Sequence, residues 1–202
     1  MKAVSHRQLA IWLEELYMQN VKKQYRRAFR LGSVEPDYNK FTYFHGWWTH
    51  EKLHGHHYAN CQNVIKKLMK KLTESRRQNL FYFYRLGKLT HYLADCFTYP
   101  HNKHFTENLW QHIQYEEVFH DRMLQYLTKK AREGKRRIHG RWDREVFLWL
   151  HEAYMASAPS CELDCQYICM VTELATGWFL QPAPVCEPVF GLDETQEMRR
   201  LA

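Results

Sequence analysis

The sequence predicts an all-α fold, a single-domain helical bundle with one long loop between its first two helices. Apolar residues recur at helical spacing over nearly the whole chain, and no stretch alternates with the period of two that a half-buried strand requires. The length of 202 residues suits one compact domain. We therefore expect one bundle built around one site.

The first helix is predicted over residues 5 to 31, where Leu9 and Leu13 repeat on one side. Ser5 is its predicted N-cap, and Gly32 lies just past its predicted end. A loop rich in aromatic residues is expected from Gly32 to about residue 55.

Five more helices are predicted from the apolar spacing and from the Ser, Pro, Asn and Gly residues between them. They cover residues 57 to 73, 76 to 97, 108 to 133, 142 to 157 and 161 to 180. The proline-containing segment 182–202 is predicted to be an irregular tail, so the domain is expected to span residues 1–181.

Composition supports a folded core and a basic surface. Apolar residues make up 45% of the chain and aromatic residues 15%, while the formal net charge is +7. Runs of Lys and Arg usually form solvated helix faces, and we favour that interpretation here. The alternative is contact with an anionic membrane, an anionic substrate or nucleic acid through these faces.

The N-terminal residues, the longest apolar runs and the cysteines predict where the protein resides and the state of its thiols. The first residues lack the apolar stretch of a secretory signal, and no run of about 18 apolar residues is present, so a cytoplasmic protein without a membrane span is expected. The six cysteines are interpreted as reduced thiols. Cys161, Cys165 and Cys169 recur along one helix face, where packing is favoured over a metal site.

Histidine is unusually frequent, with thirteen residues in the chain. His91 and Asp95 lie four residues apart, and His112 and Glu116 repeat that spacing on the next helix, so each pair projects from one helix face. His101 follows Pro100 between the two pairs, where a turn can direct its ring inward.

A single pair of this kind could be a histidine hydrogen-bonded to a carboxylate. Two pairs with a histidine between them favour metal ions held inside the bundle, because burying so many ionisable groups without a cation would be costly. Imidazole and carboxylate ligands suit zinc, iron, manganese or cobalt.

The stretch from Tyr84 to Asn102, followed by His112 to Glu116, resembles the core of the bacterial zinc-dependent phospholipases C. That family carries a leucine-glycine step, HYLxD, five residues, a second His and then HxxYE, and this chain contains each part in that order. The segment from His101 to His112 is slightly shorter than in the secreted enzymes. The resemblance is specific over about residues 84 to 116 and implies a helical bundle that holds three zinc ions.

The resemblance also implies ligands outside that window. One ion would be held by Asp37, His56, His91 and Asp95, a second by His101, His112 and Glu116, and a third by His6 with Asp95 as a bridge. The secreted enzymes complete their third site with a mature N-terminal Trp, whereas this chain begins with Met1. Two to three zinc ions are therefore expected, with iron or manganese as alternatives.

Two adjacent residues receive further roles from the resemblance. Asp37 is expected to orient or deprotonate the attacking water, and Tyr38 is expected to line the substrate pocket, with packing beside the site as its alternative. The other histidines of this region are expected at the surface or behind the ligands: His45, His50, His54, His57, His104 and His120.

These features predict a metal-dependent phosphodiester hydrolase of phospholipase C type, in which an activated water attacks phosphorus. The chain contains no Walker-type glycine loop, and the chemistry requires no Ser or Cys nucleophile. A single-strand nuclease or phosphomonoesterase is the first alternative, although the nucleases usually close the last motif with Asp where this chain has Glu116. A non-catalytic metal-binding protein is the second alternative.

Overall fold

The computed structural model describes residues 1–38, 58–103, 105, 108–134 and 136–181, and this part of the chain is helical without strands. Its helices are α1 (Ala3–Tyr17), α2 (Lys23–Tyr38), α3 (Tyr58–Thr73), α4 (Leu80–Cys96), α5 (Leu109–Arg132), α6 (Arg144–Ala156) and α7 (Cys161–Leu180), with a short 3-10 helix at Tyr99–His101. The predicted all-α fold is confirmed. None of the described helices has the length and apolar character needed to cross a membrane.

Helix α4 lies at the centre of the bundle and contacts α1, α2, α3 and α7. It begins at Leu80, later than predicted, because the Asn79 side chain caps it by accepting a hydrogen bond from the Tyr82 N–H at 3.0 Å. Every residue in positions 89–96 is buried. The helix therefore carries its polar residues into the core, where each needs a partner.

The single helix predicted over residues 5 to 31 is wrong, because the chain turns between α1 and α2. Met18 is completely buried at this turn, and its carbonyl accepts a hydrogen bond from the Val21 N–H at 3.1 Å. Ser5 does not cap the helix but lies inside α1, fully buried. The turn lets α2 pack against both α1 and α4.

The loop predicted to begin at Gly32 is also wrong at its start, because α2 continues through Gly32 to Tyr38. Residues 39–57, which contain the rest of that predicted loop, lie between α2 and α3 and outside the described residues. The predicted tail, residues 182–202, lies outside them too.

The later helices follow the prediction closely, and side-chain caps explain where they begin. Asn108 and Gln111 form a reciprocal capping box at the start of α5, Asp143 caps α6, and Ser160 caps α7. Within α7, Cys165 and Cys169 are buried in the apolar core, which agrees with the packing interpretation.

Candidate metal centre

His91 and Asp95 lie one turn apart on α4 and contact each other. His91 Nε2 is 3.2 Å from Asp95 Oδ2, and both side chains are fully buried. The other ring nitrogen, Nδ1, donates to the Ser33 carbonyl at 3.0 Å, which sets the orientation of the ring. Burial disfavours a charged ring, but Asp95, Asp37 and the hydrogen bond to Ser33 together outweigh burial and raise the pKa of His91. The position therefore favours positive charge.

His6 on α1 joins this pair. Its ring stacks on His91 with the centroids 3.8 Å apart, and its Nε2 lies 3.2 Å from Asp95 Oδ1. Burial, reinforced by the neighbouring His91, lowers the pKa of His6 to about 3, so the ring is neutral at neutral pH. His6, His91 and Asp95 each offer one ligand atom, and these atoms lie within 4.8 Å of one another. We call these residues the first triad.

A second triad consists of His101, His112 and Glu116, whose ligand atoms also lie within 4.8 Å of one another. Glu116 Oε1 is 3.2 Å from His112 Nε2 and 3.4 Å from His101 Nε2. The turn that carries His101 is held by Asn102, whose side-chain amide donates to the Cys96 and Thr98 carbonyls at 3.0 Å each. Burial lowers the pKa of His101 to about 4, which keeps this ring neutral as well.

The two triads are adjacent, and a cationic nitrogen lies between them. His101 Nδ1 is 3.6 Å from Asp95 Oδ1. The amino nitrogen of Met1 lies 3.1 Å from Asp95 Oδ1, 2.8 Å from Glu116 Oε1 and 3.1 Å from His101 Nε2. Burial disfavours this ammonium, but the two carboxylates outweigh burial and raise its pKa to about 10. Positive charge is therefore strongly stabilised where the triads meet.

Asp37 lies at the edge of the first triad. Its Oδ1 is 3.8 Å from His91 Nε2, and its side chain is 17% exposed. Tyr38, the last residue of α2, is 72% exposed beside it. The predicted ligand His56 lies outside the described residues, so its relation to this triad stays a prediction.

The remaining histidines do not enter either triad among the described residues. His120 instead lies 2.8 Å, through Nδ1, from the Oγ of Ser5 and so connects α5 to α1. Five others lie outside the described residues: His45, His50, His54, His57 and His104.

The donor set fits a divalent metal ion. Each triad offers two imidazoles and one carboxylate, a set that zinc accepts while keeping a position open for water or substrate. His6 Nδ1 and His112 Nδ1 are buried and have no hydrogen-bond partner within the described part of the chain. Asp95 keeps its pKa well below the ordinary value despite burial, because the Met1 ammonium and the histidines stabilise its charge. A cation bound at each triad would likewise stabilise the buried negative charge of its carboxylate.

Two groups of this centre have no sequence signal that sets them apart. The Ser33 carbonyl reaches His91 only through the packing of α2 on α4, and no residue type marks a backbone oxygen. An amino group at the start of a chain is likewise marked by no residue type, and its contacts with Asp95 and Glu116 are visible only in the fold.

Comparison with known proteins gives a family match. The model of the family described as zinc-dependent phospholipase C matches residues 5–160, which include both triads and Asp37. No match was found among curated proteins or among solved structures. The helical architecture, the paired triads and this match over most of the sequence agree, and the chain belongs to the zinc-dependent phospholipase C family.

Proposed function

We propose that this chain is a zinc-dependent phosphodiester hydrolase of phospholipase C type, which cleaves the glycerol side of a phospholipid or a smaller phosphodiester. The observation that carries the proposal is the adjacency of the two triads, with His101 Nδ1 3.6 Å from Asp95 Oδ1. Neighbouring metal ions suit phosphoryl transfer because they can contact both the attacking and the leaving oxygens. Membership of the family supports a lipid substrate.

The proposed ligand shells follow the resemblance, and the convergence of His101, His112 and Glu116 supports the second of them. Asp37, His56, His91 and Asp95 would hold one ion, His101, His112 and Glu116 a second, and His6 with Asp95 a third. Zinc is proposed for all of them, in two to three copies, with iron or manganese as alternatives.

Bound zinc would lower the pKa of water and neutralise the phosphoryl oxygens. The chain supplies the rest of the proposed mechanism. Asp37, partly exposed at the edge of the first triad, would orient the attacking water and accept its proton. As the new bond to phosphorus formed, the bond from phosphorus to the glycerol oxygen would break. That oxygen would take up a proton from solvent, and Asp37 would release its proton to solvent. Tyr38, exposed beside Asp37, would contact the headgroup.

Metal analysis tests the first half of the proposal. Purified protein is expected to contain at least two equivalents of zinc per chain, and His112→Ala is expected to lower that content. His139→Ala is the matched control, because His139 is an exposed histidine outside both triads. Near-zero metal in the wild-type protein would overturn the proposed function.

Hydrolysis assays test the second half and separate the alternatives. The proposal expects turnover of para-nitrophenyl phosphorylcholine that is lost in His112→Ala and kept in His139→Ala. Turnover of single-stranded DNA without turnover of the phosphorylcholine ester would support the nuclease alternative instead. Bound zinc without turnover of either substrate, or of bis-para-nitrophenyl phosphate, would support the non-catalytic metal-binding alternative.

A further inference from the structure

Asp164 is a buried carboxylate that belongs to neither triad. It lies in the first turn of α7 and is completely inaccessible to solvent. Its Oδ2 accepts hydrogen bonds from the Tyr99 backbone N–H at 2.8 Å and from the Tyr115 hydroxyl at 2.9 Å. Its Oδ1 accepts a hydrogen bond from the Tyr154 hydroxyl at 2.7 Å. One carboxylate thus connects three separate segments of the chain to α7.

The two partners of Oδ2 lie next to the second triad. Tyr99 opens the short 3-10 helix that ends at His101, and Tyr115 immediately precedes Glu116 on α5. Their rings are also close, with the centroids 5.7 Å apart. Asp164 Oδ2 therefore joins the two chain segments that must converge for His101 and Glu116 to meet.

The partner of Oδ1 lies elsewhere. Tyr154 belongs to α6, which contributes no residue to either triad and contacts the segment of the second triad through His151, whose Nε2 lies 2.9 Å from Asn102 Oδ1. Oδ2 of Asp164 thus binds the two segments that carry His101 and Glu116, whereas Oδ1 binds a helix that contributes no ligand to either triad.

A carboxylate is a costly choice at this position. The three donors are neutral groups, and burial raises the pKa of Asp164 to about 6, with the hydrogen bonds from Tyr99, Tyr154 and Tyr115 limiting the rise. A merely structural position could use an uncharged side chain at lower desolvation cost. An acceptor with two oxygens, however, can accept from Tyr99 and Tyr115, beside the triad, on one atom and from Tyr154 of α6 on the other.

We propose that Asp164 is a positioning residue for the His101, His112 and Glu116 triad, and that it sets the distance between His101 and Glu116 through Tyr99 and Tyr115. This inference rests on the proposed metal-binding function of that triad. It assigns Asp164 no contact with substrate or with the reacting atoms. Residues that hydrogen-bond a metal ligand directly typically change metal binding about 10- to 100-fold when lost, and Asp164, which acts one residue further away, is expected at the lower end of that range.

The matched pair Tyr115→Phe and Tyr154→Phe tests the proposal. Each variant removes one hydroxyl that donates to Asp164, so both should lower the unfolding temperature by similar amounts. Zinc affinity, measured by competition with a chromophoric chelator, is expected to fall about tenfold or more in Tyr115→Phe and less than threefold in Tyr154→Phe. Equal effects on zinc affinity would overturn the proposal, because Asp164 would then act on the core as a whole.

Asp164→Leu provides the second measurement, with the full chain loaded with cobalt in place of zinc. Leucine has a similar size but accepts no hydrogen bond, so the Tyr99 N–H and the Tyr115 hydroxyl both lose their shared acceptor and the visible absorption of cobalt at the second triad should change. An unchanged spectrum and an unchanged zinc affinity would overturn the proposal. Failure of hydrolysis in wild-type protein that still binds zinc would count against the proposed function alone, whereas wild-type protein that binds no metal would overturn both.

Discussion

Gly32 on α2 and Gly87 on α4 lie where these helices cross, each against the backbone of the other helix. A Cβ atom on Gly32 would lie 2.0 Å from the carbonyl oxygen of Tyr84, and one on Gly87 would lie 2.0 Å from the carbonyl oxygen of Phe29. These oxygens belong to helix backbones and cannot move aside alone. The two helices can therefore approach this closely only without side chains at both positions.

Gly87→Ala is expected to separate α2 from α4 and to lower the free energy of unfolding by about 3 kcal/mol or more, the upper range for an overpacked site. Zinc affinity should also fall, because the hydrogen bond from His91 to the Ser33 carbonyl depends on this crossing. Urea unfolding and chelator competition measure the two effects. The control is Gly140→Ala, whose Cβ would meet only the flexible Leu174 side chain, at 3.2 Å. Equal losses in the two variants would contradict the packing argument.

The sequence predicts the candidate site correctly where two of its residues lie on the same helix. His91 with Asp95, and His112 with Glu116, are separated by four residues, and that spacing alone places each pair on one helix face. The structure brings each pair within 3.2 Å. Helix starts were predictable where a polar residue caps the first turn, as Ser160 does for α7.

The sequence does not predict the features that depend on contacts between distant segments. A glycine that ends a helix and a glycine that lets two helices touch look the same in one sequence, so the sequence alone predicts the wrong role for Gly32. The turn at Met18 contains neither glycine nor proline, and burial of that side chain is visible only in the fold. The hydrogen bonds that Asp164 receives from Tyr99 and Tyr115 likewise join segments that are distant in sequence.

His151 gives the metal-free protein a pH dependence that can be isolated. This ring stacks on Tyr58 and contacts Asn102 Oδ1 at 2.9 Å, and burial lowers its pKa to about 4. In the unfolded chain His151 takes up a proton below a pH of about 6.5, whereas in the folded chain it stays neutral down to a pH of about 4. The free energy of unfolding therefore has its full value above a pH of about 6.5 and decreases as the pH falls toward 4. The loss from this residue is expected to reach at most about 3 kcal/mol.

The comparison of wild-type protein with His151→Gln measures this loss. Glutamine keeps an N–H donor for Asn102 but does not titrate, so the unfolding free energy of the variant should fall less steeply between pH 6.5 and 4. Both proteins need a chelator, because His6 and His101 also have lowered pKa values and would respond to metal. Identical slopes in urea unfolding would rule out this contribution from His151.

Asp37 and Glu35 are carboxylates two residues apart on α2 with different surroundings. Asp37 lies 3.8 Å from His91 Nε2, whereas Glu35 forms an ion pair with Lys88 at 2.8 Å. Because an amide cannot accept a proton from water, Asp37→Asn is expected to lower kcat about 100-fold or more on para-nitrophenyl phosphorylcholine.

Glu35→Gln is the matched control, since it removes a neighbouring negative charge without touching the first triad, and its kcat should stay within threefold of wild type. The zinc content of Asp37→Asn must be measured alongside its kcat. Since Asp37 is also a proposed ligand of the first ion, a zinc content equal to that of wild type with lost turnover would support the proton-accepting role. Loss of one equivalent of zinc would instead attribute the lost turnover to the missing first ion, because the second triad does not include Asp37. A kcat of Asp37→Asn close to that of Glu35→Gln would remove Asp37 from the proposed mechanism and leave the attacking water to be oriented by another group.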